Sequence, residues 1–99
     1  NTAIGVDDNG AATTAGGYLA YQVFAGNGTA TIKVQDAATN LDASFADLTG
    51  ATSGSINCAV VSAAMVAIAT TATVRRYLRW QIVLGTATTV TFSLAWVRG

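Results

Sequence analysis

Histidine and glutamate are absent from this sequence, and cysteine and lysine occur once each. Without histidine, a serine-type catalytic triad would need an unusual base. With one cysteine, neither an intramolecular disulfide nor a zinc site is expected. Surface helices normally draw on both glutamate and lysine, so long amphipathic helices are not expected either. The chain therefore points away from metal, cofactor and hydrolase chemistry.

Charge is scarce and balanced. Five basic residues and five aspartates give a net charge of zero. A nucleic-acid binder needs a dense basic surface, so no nucleic-acid partner is expected. The longest apolar stretch, Cys58 to Ala69, is too short to cross a bilayer, so no membrane partner is expected. A near-neutral chain lacks the charge repulsion that opposes self-association, which suits a subunit of an assembly.

The remaining composition is typical of strands and turns. Residues 1–99 are predicted to form a single domain, with 52% hydrophobic residues and a polar fraction dominated by Thr, Ser, Gly and Asn. Apolar and polar residues alternate in several runs separated by turn residues. The sequence predicts an all-β fold, a small antiparallel β-sandwich of six to eight strands, either jelly-roll or immunoglobulin-like.

Two strand pairs are predicted from this alternation. The runs Tyr18–Ala25 and Thr29–Gln35 flank an Asn-Gly pair, which is the strongest short-range hairpin signal in a sequence. The runs Val74–Leu84 and Thr89–Val97 are longer, and each has one apolar face. We expect them to form an antiparallel pair that buries those faces.

Weaker signals fill the rest of the chain. Thr2 to Val6 and Phe45 to Leu48 are predicted as short strands, and Ala51 to Asn57 is predicted to be turn-rich. Cys58 to Ala69 is ambiguous, because its alanines permit a helix whereas its β-branched residues prefer a strand. Its second half, Met65 to Ala69, is predicted as a strand, and its first half stays open.

The apolar faces of the two long strands predict the core. The predicted core residues are Leu78, Trp80, Ile82, Val90, Phe92, Leu94 and Trp96. Replacing Trp80 with alanine is expected to cost about 3–5 kcal/mol, as for a buried aromatic. Since both tryptophans lie on apolar faces, core packing is favoured over a platform for stacking sugars.

The polar face of the run Val74–Leu84 is the one candidate site. Arg75, Tyr77 and Arg79 share that face. They form either a solvated face with an arginine packed on Tyr77, or an interface patch that meets a neighbouring subunit.

Two aspartates are the only candidates for acid–base chemistry. Asp36 and Asp47 could in principle act as paired carboxylates of a glycosidase. Each lies beside turn residues, where aspartate commonly binds its own backbone, so a structural role is favoured. No catalytic, cofactor-binding or metal-binding residue is predicted, and the protein is predicted not to be an enzyme.

Several short runs form an ordered pattern. They are Asp8–Gly17 with Tyr18–Val23, Val34–Asp36, Ser44–Gly50, Thr73–Arg79 and Phe92–Arg98. In this order they resemble a β-domain of structural proteins from tailed bacteriophages, which often forms the C-terminal part of tail-tube-type proteins. The resemblance implies association with a virion, and it transfers no catalytic residue.

Three functional hypotheses follow. The leading one is a non-enzymatic structural domain of a bacteriophage virion, in the tail or as a capsid decoration. It would act in a multi-copy assembly through contacts with copies of itself and with other virion proteins, and it would be localised to the virion after assembly in the host cytoplasm. The first alternative is a carbohydrate-binding module that recognises cell-surface glycans. The second is an accessory domain of an enzyme.

Overall fold

Seven β-strands and one short 3-10 helix make up the fold of residues 5–99, the part of the chain that the computed structural model describes. The strands are β1 (Asp7–Asp8), β2 (Gly17–Gly26), β3 (Thr29–Ala37), β4 (Ala46–Asn57), β5 (Ser62–Ala67), β6 (Tyr77–Leu84) and β7 (Val90–Arg98), and the 3-10 helix is Asp42–Ser44. The predicted all-β class is confirmed. No helix in the described part of the chain has the length and apolar character needed to span a bilayer.

The strands form two antiparallel sheets. The four-stranded sheet has the order β1-β6-β3-β4, and the three-stranded sheet has the order β5-β2-β7. Of these strands, only β3 and β4 are neighbours both in the chain and in a sheet. The pairs β2–β5 and β3–β6 are the B–E and C–F pairs of an immunoglobulin-type sandwich. The other strands differ from that type, because β1 pairs with β6, β4 pairs with β3 and β7 pairs with β2.

Both predicted strand pairs are wrong, although all four strands exist. Strand β2 pairs with β5 and β7, whereas β3 pairs with β4 and β6. The supposed hairpin Tyr18–Ala25 with Thr29–Gln35 is therefore divided between the two sheets, as is the supposed pair Val74–Leu84 with Thr89–Val97. Alternation was a correct guide to strand positions and an incorrect guide to partners.

The Asn-Gly turn explains the first error. The side-chain oxygen of Asn27 accepts hydrogen bonds from the backbone N–H groups of Thr88 (2.8 Å) and Thr89 (3.2 Å). Its side-chain nitrogen donates to Thr88 Oγ1 at 2.9 Å. The Gly28 carbonyl accepts from the Cys58 N–H at 2.8 Å. Because distant segments hold this turn, it directs the chain from one sheet to the other instead of closing a hairpin.

Strand β4 is much longer than predicted. It continues through Ala51 to Asn57, the stretch predicted to be turn-rich. Gly50 and Gly54 adopt positive φ, and the register against β3 shifts twice. Glycines that suggest turns in the sequence therefore accompany irregularities within a continuous strand.

Two other predicted strands need adjustment. Strand β5 covers Ser62–Ala67, so it begins earlier and ends earlier than the predicted Met65 to Ala69. Of the predicted strand Thr2 to Val6, residues 2–4 lie outside the described residues. Gly5 and Val6 precede β1 and belong to no strand.

The core lies between the sheets in two clusters. The first contains Leu19, Val34, Leu48, Ala51, Ile68, Val74 and Leu78, and the second contains Val23, Ala30, Cys58 and Ala87. Of the predicted core, Leu78 is buried. Five others are partly buried and pack against these clusters: Ile82, Val90, Phe92, Leu94 and Trp96.

Trp80 is the exception in the predicted core, because it is 48% exposed. Strand β1 covers only the first two residues of β6, Tyr77 and Leu78, so Trp80 lies at an open side of the sandwich. Its ring and the ring of Phe92 from the opposite sheet form a T-shaped pair, with the ring centroids 5.5 Å apart.

Candidate functional surfaces

The structure separates the three residues of the predicted interface. Tyr77 and Arg79 lie on the outward face of β6, whereas Arg75 precedes that strand. The Arg75 N–H donates to Asp36 Oδ2 at 2.9 Å, and its guanidinium donates to Asp36 Oδ1 (3.0 Å) and to the Asp36 carbonyl (2.8 Å). Asp36 is only 5% exposed, and a buried carboxylate needs such a partner. Arg75 therefore satisfies a buried acid of its own chain.

Arg79 is also engaged within the chain. Its Nε donates to Gln35 Oε1 at 2.8 Å, and its Nη1 donates to the carboxylate of Asp42. The guanidinium lies over the ring of Phe45, 4.4 Å from the ring centroid. Arg79 thus connects Asp42 of the 3-10 helix, and Phe45 directly after that helix, to the four-stranded sheet. An interface through Arg75, Tyr77 and Arg79 stays a prediction, with Tyr77 as its least committed member.

Asp36 and Asp47 do not form a carboxylate pair. Asp47 is paired with Gln35 in the register of β3 and β4, so it lies on the outward face, opposite to the inward-facing Asp36. It accepts hydrogen bonds from Gln35 Nε2 (2.8 Å) and Lys33 Nζ (3.0 Å). These two hydrogen bonds lower the pKa of Asp47, and the one from Gln35 has the larger effect. The two aspartates therefore pair with different basic side chains. Asp36 pairs with Arg75 on the inward side of the sheet, and Asp47 pairs with Lys33 on the outward side.

Arg76 and Asp8 form a bidentate pair where β1 meets β6. Arg76 Nε and Nη2 donate to the two Asp8 oxygens at 2.7 and 2.9 Å, and the Gly10 N–H donates to Oδ1 at 2.8 Å. The hydrogen bonds from Arg76 and then Gly10 lower the pKa of Asp8 from 3.8 to about 2. Arg76 also covers the ring of Tyr77 at 4.8 Å. The arginine that packs on Tyr77 is therefore Arg76, not Arg75 or Arg79.

The Asp8 pair predicts an acid-sensitive contact. A carboxyl whose pKa is lower in the folded state stabilises the fold above its unfolded pKa, and this contribution is lost as the pH falls through its folded pKa. Stability should therefore decline between pH 3.8 and about 2, and Asp8→Asn should flatten that part of the profile. The check is the free energy of unfolding against pH, together with an NMR titration of the Asp8 carboxyl. In Arg76→Gln that carboxyl should titrate nearer 3.8, and an unchanged titration would contradict the assignment.

The outward face of the three-stranded sheet differs from the other surfaces of the described chain, because it has no charged residue. Its outward residues are Tyr18, Ala20, Gln22 and Phe24 of β2, Ala63, Met65 and Ala67 of β5, and Thr91, Ser93, Ala95 and Val97 of β7. Val61, which directly precedes β5, continues the apolar row. Met65 and Val61 are each 68% exposed, Phe24 is 47% exposed and Val97 is 42% exposed. We call these twelve residues the uncharged face.

A shallow depression of about 570 Å³ occupies the middle of the uncharged face. Small side chains from all three strands line it, among them Ala20, Ala63 and Ala95. Gln22, Met65 and Ser93 also line it. The middle of the face therefore consists mostly of small side chains.

A second surface lies at the open side of the sandwich. There a cleft of about 170 Å³ is lined by Asp7, Leu78, Trp80, Leu94 and Trp96, among others. Trp80 presents half of its ring to solvent at this cleft. The indole N–H of Trp96 is buried and has no hydrogen-bond partner. The cleft therefore offers an exposed aromatic ring with a carboxylate at its border.

Sequence reasoning missed the uncharged face, although part of its signal was present. The runs Tyr18–Phe24 and Thr91–Val97 contain no charged residue at all. The third strand was predicted only in part, as Met65 to Ala69, and its pairing with β2 was not predicted. Without β5 beside β2, neither the exposed Met65 nor the width of the face could be seen.

The described residues 5–99 contain no cluster of three or more acidic or cysteine side chains that could hold a metal ion. Neither a protein-family model, nor a curated protein, nor a solved structure matches this chain.

Proposed function

We propose that this protein is a non-enzymatic structural domain of a bacteriophage virion, in the tail or as a capsid decoration. It works in a multi-copy assembly through contacts with copies of itself and with other virion proteins. The uncharged face supports this proposal most strongly, because exposed contiguous apolar patches on soluble domains mark interaction surfaces. Val61, Met65, Phe24 and Val97 expose large apolar side chains there.

The distribution of charge supports the same conclusion. Four ion pairs join residues within the described part of the chain: Lys33–Asp47, Arg75–Asp36, Arg76–Asp8 and Arg79–Asp42. None of these residues lies on the uncharged face. Interface cores are depleted of charged residues, so a face without charge suits direct protein contact. These charged residues pair with one another within the domain, and the uncharged face of the three-stranded sheet is left for contact with other proteins.

The resemblance to phage structural domains supplies the biological setting. Two of its runs, Tyr18–Val23 and Phe92–Arg98, lie in the adjacent strands β2 and β7, which form two thirds of the uncharged face. Arg98 fixes the end of β7 by donating to the carbonyls of Val74 (2.9 Å) and Arg75 (2.7 Å). The resemblance thus includes the sheet that presents the proposed contact surface, together with runs that reach into β3, β4 and β6 of the other sheet.

Immunogold labelling of purified phage particles from the source of the chain tests this function. With an antibody against the domain, we expect regular labelling of the tail or of the capsid. The control is particles that carry a deletion of the domain, which should show no labelling. A domain that is abundant in infected cells and absent from purified particles would contradict the proposal.

The predicted interface of Arg75, Tyr77 and Arg79 needs a test that leaves its two arginines in place. Arg75→Ser would remove the guanidinium that pairs with the buried Asp36 and would destabilise the domain, so lost incorporation into particles would have two explanations. Tyr77→Ser changes the same face and keeps all four ion pairs. If it abolishes incorporation at unchanged thermal stability, this face is an interface. Normal incorporation would indicate a solvated face.

Carbohydrate binding is the second candidate, and the exposure of Trp80 favours it. A half-exposed indole in a cleft can stack against a sugar ring, and the Asp7 carboxylate can accept hydrogen bonds from hydroxyl groups. In this case a glycan array probed with the domain should give signals that Trp80→Ala abolishes. Phe24→Ala, which removes an equally exposed aromatic that does not line the cleft, should keep them. An array without signal would contradict this candidate.

A further inference from the structure

We infer that Asn9 is a site of self-modification, where the chain converts its own asparagine to aspartate and isoaspartate, and that Asp8 restrains this reaction. The reaction needs only water, so the inference stands apart from the proposed function. It follows from a comparison of the two asparagines that precede glycine in this sequence, Asn9 and Asn27.

An asparagine that precedes glycine can react with its own backbone. The amide nitrogen of the glycine loses its proton to solvent and attacks the asparagine Cγ, so that a new C–N bond closes a cyclic imide. The bond from Cγ to Nδ2 breaks, and Nδ2 leaves as ammonia after taking up a proton from water. Water then opens the imide at either of its carbonyl groups, which gives aspartate or isoaspartate. Glycine favours the attack because it has no Cβ atom to hinder it.

Asn9 lies in an exposed turn that directly follows β1. Within residues 5–99, its side chain makes one hydrogen bond, from Nδ2 to the Ala11 carbonyl at 3.0 Å. The attacking group, the Gly10 N–H, donates to Asp8 Oδ1 at 2.8 Å. Both bonds join residues two positions apart, so both can open while the two sheets stay in place. Asn9 is therefore restrained only by its own turn.

Asp8 restrains that turn in two ways. Its carboxylate binds the Gly10 proton that has to leave, and its negative charge opposes the formation of an anionic nitrogen beside it. Arg76 fixes the carboxylate through two hydrogen bonds of 2.7 and 2.9 Å. Because these hydrogen bonds are exposed to solvent, together they should slow the reaction by at most about tenfold.

Asn27 is held by remote segments instead. Its side-chain amide makes three hydrogen bonds with Thr88 and Thr89, which lie 61 and 62 residues away. Its own N–H donates to the Thr89 carbonyl at 3.2 Å. A Cβ atom at Gly28 would lie 2.6 Å from the Ala87 nitrogen, so the backbone is closely packed there. Closing an imide would move the Asn27 amide out of these contacts, and we expect Asn27 to react only after extensive unfolding.

Modification of Asn9 changes the contact between β1 and β6. Each product adds one carboxylate, so the net charge falls from zero to −1. Isoaspartate also lengthens the backbone by one methylene, at the residue whose N–H donates to the Arg76 carbonyl at 3.1 Å. Aged copies of the chain should therefore differ from new copies in charge and in how firmly β1 pairs with β6.

Peptide mapping by mass spectrometry tests the inference. The folded chain, and the same chain in guanidinium chloride, are kept at mildly alkaline pH. Chymotrypsin, which cleaves after Tyr18, then places Asn9 and Asn27 in different peptides. In the denatured chain the two asparagines should react within about threefold of each other, because each precedes glycine. In the folded chain Asn9 should react at least about 100-fold faster than Asn27, because only its restraints are local and exposed.

Variants locate the reaction and its restraint. Asn9→Gln should accumulate no acidic product on anion exchange, because the larger ring from glutamine closes much more slowly. Asp8→Ala should speed the loss of Asn9 by about three- to tenfold, because the Gly10 N–H is then released. The matched control is Asp7→Ala. It removes the neighbouring carboxylate, which does not bind Gly10, and the rate should stay within about twofold of the parent.

Two results would overturn Asn9 as the site. One is a folded chain in which Asn9 and Asn27 react equally fast, and the other is a folded chain in which Asn9 is stable while the denatured chain reacts. An Asp8→Ala variant that reacts no faster than the parent would overturn the role of Asp8. None of these results bears on the proposed function, since the labelling of phage particles does not depend on Asn9.

Discussion

Replacing Leu19 with alanine should lower the free energy of unfolding by about 3–4 kcal/mol. Leu19 lies on β2, the central strand of the three-stranded sheet, and its side chain is fully buried. It belongs to the cluster that includes Val34 and Leu78 of the opposite sheet, so its truncation leaves a cavity between the sheets. Urea denaturation followed by circular dichroism would measure the change as a lower midpoint at a constant slope.

Trp80→Ala is the informative comparison for Leu19→Ala. The sequence suggests a cost of about 3–5 kcal/mol for this substitution, on the assumption that Trp80 is buried. Since 48% of the side chain is exposed, we expect only about 1–2 kcal/mol, mainly from the lost contact with Phe92. If Trp80→Ala lowers the free energy of unfolding as much as Leu19→Ala does, Trp80 is buried and the sandwich is not open on that side.

Gly16→Ala should destabilise the domain by about 3 kcal/mol or more. Gly16 adopts a φ of 67°, a left-handed conformation that costs other residues about 1–2 kcal/mol. A Cβ atom would also overlap the carbonyl oxygen of Ala69 and lie 3.0 Å from its carbonyl carbon. Because these are backbone atoms of the segment after β5, they can yield only if the backbone of that segment moves. The expected result is a large fall in melting temperature.

Gly10→Ala separates the two contributions in Gly16→Ala. Gly10 has a similar φ of 81°, and nothing lies within 4 Å of the position that a Cβ atom would occupy there. Its substitution should cost only about 1 kcal/mol, from the backbone conformation alone. Thermal unfolding of both variants under the same conditions gives the comparison. Equal losses would show that the contact with Ala69 contributes nothing.

Strand positions could be read from the sequence because they depend on local alternation. The run Tyr18–Ala25 differs from β2 by one residue at each end, and Thr29–Gln35 lies entirely within β3. Strand partners could not be read, because they depend on contacts between residues far apart. Asn27 is bound by Thr88, 61 residues away, and no local pattern records that interaction.

The candidate sites show the same division. Arg75 and Arg79 stand out in the sequence as an uncommitted basic pair, since their partners Asp36 and Asp42 are 39 and 37 residues away. The apolar face of β6 suggested a buried Trp80, and the exposure of its ring follows from the brevity of β1. In both cases the deciding neighbour comes from a remote segment. The sequence therefore shows which side chains are charged or aromatic, but it does not show which residues surround them in the fold.

The crossing of the chain between the two sheets has a consequence for how the domain folds. Tyr18 of β2 pairs with Ala67 and with Val97, so both partners of this strand come much later in the chain. Long loops must close before either pairing is rewarded, which places folding in the slow range of milliseconds to seconds. During synthesis β2 leaves the ribosome well before its partners, with Leu19 and Val23 still in water. These two fully buried residues stay in water until β5 and β7 have been made, and a chaperone that shields extended apolar segments should raise the yield of folded protein.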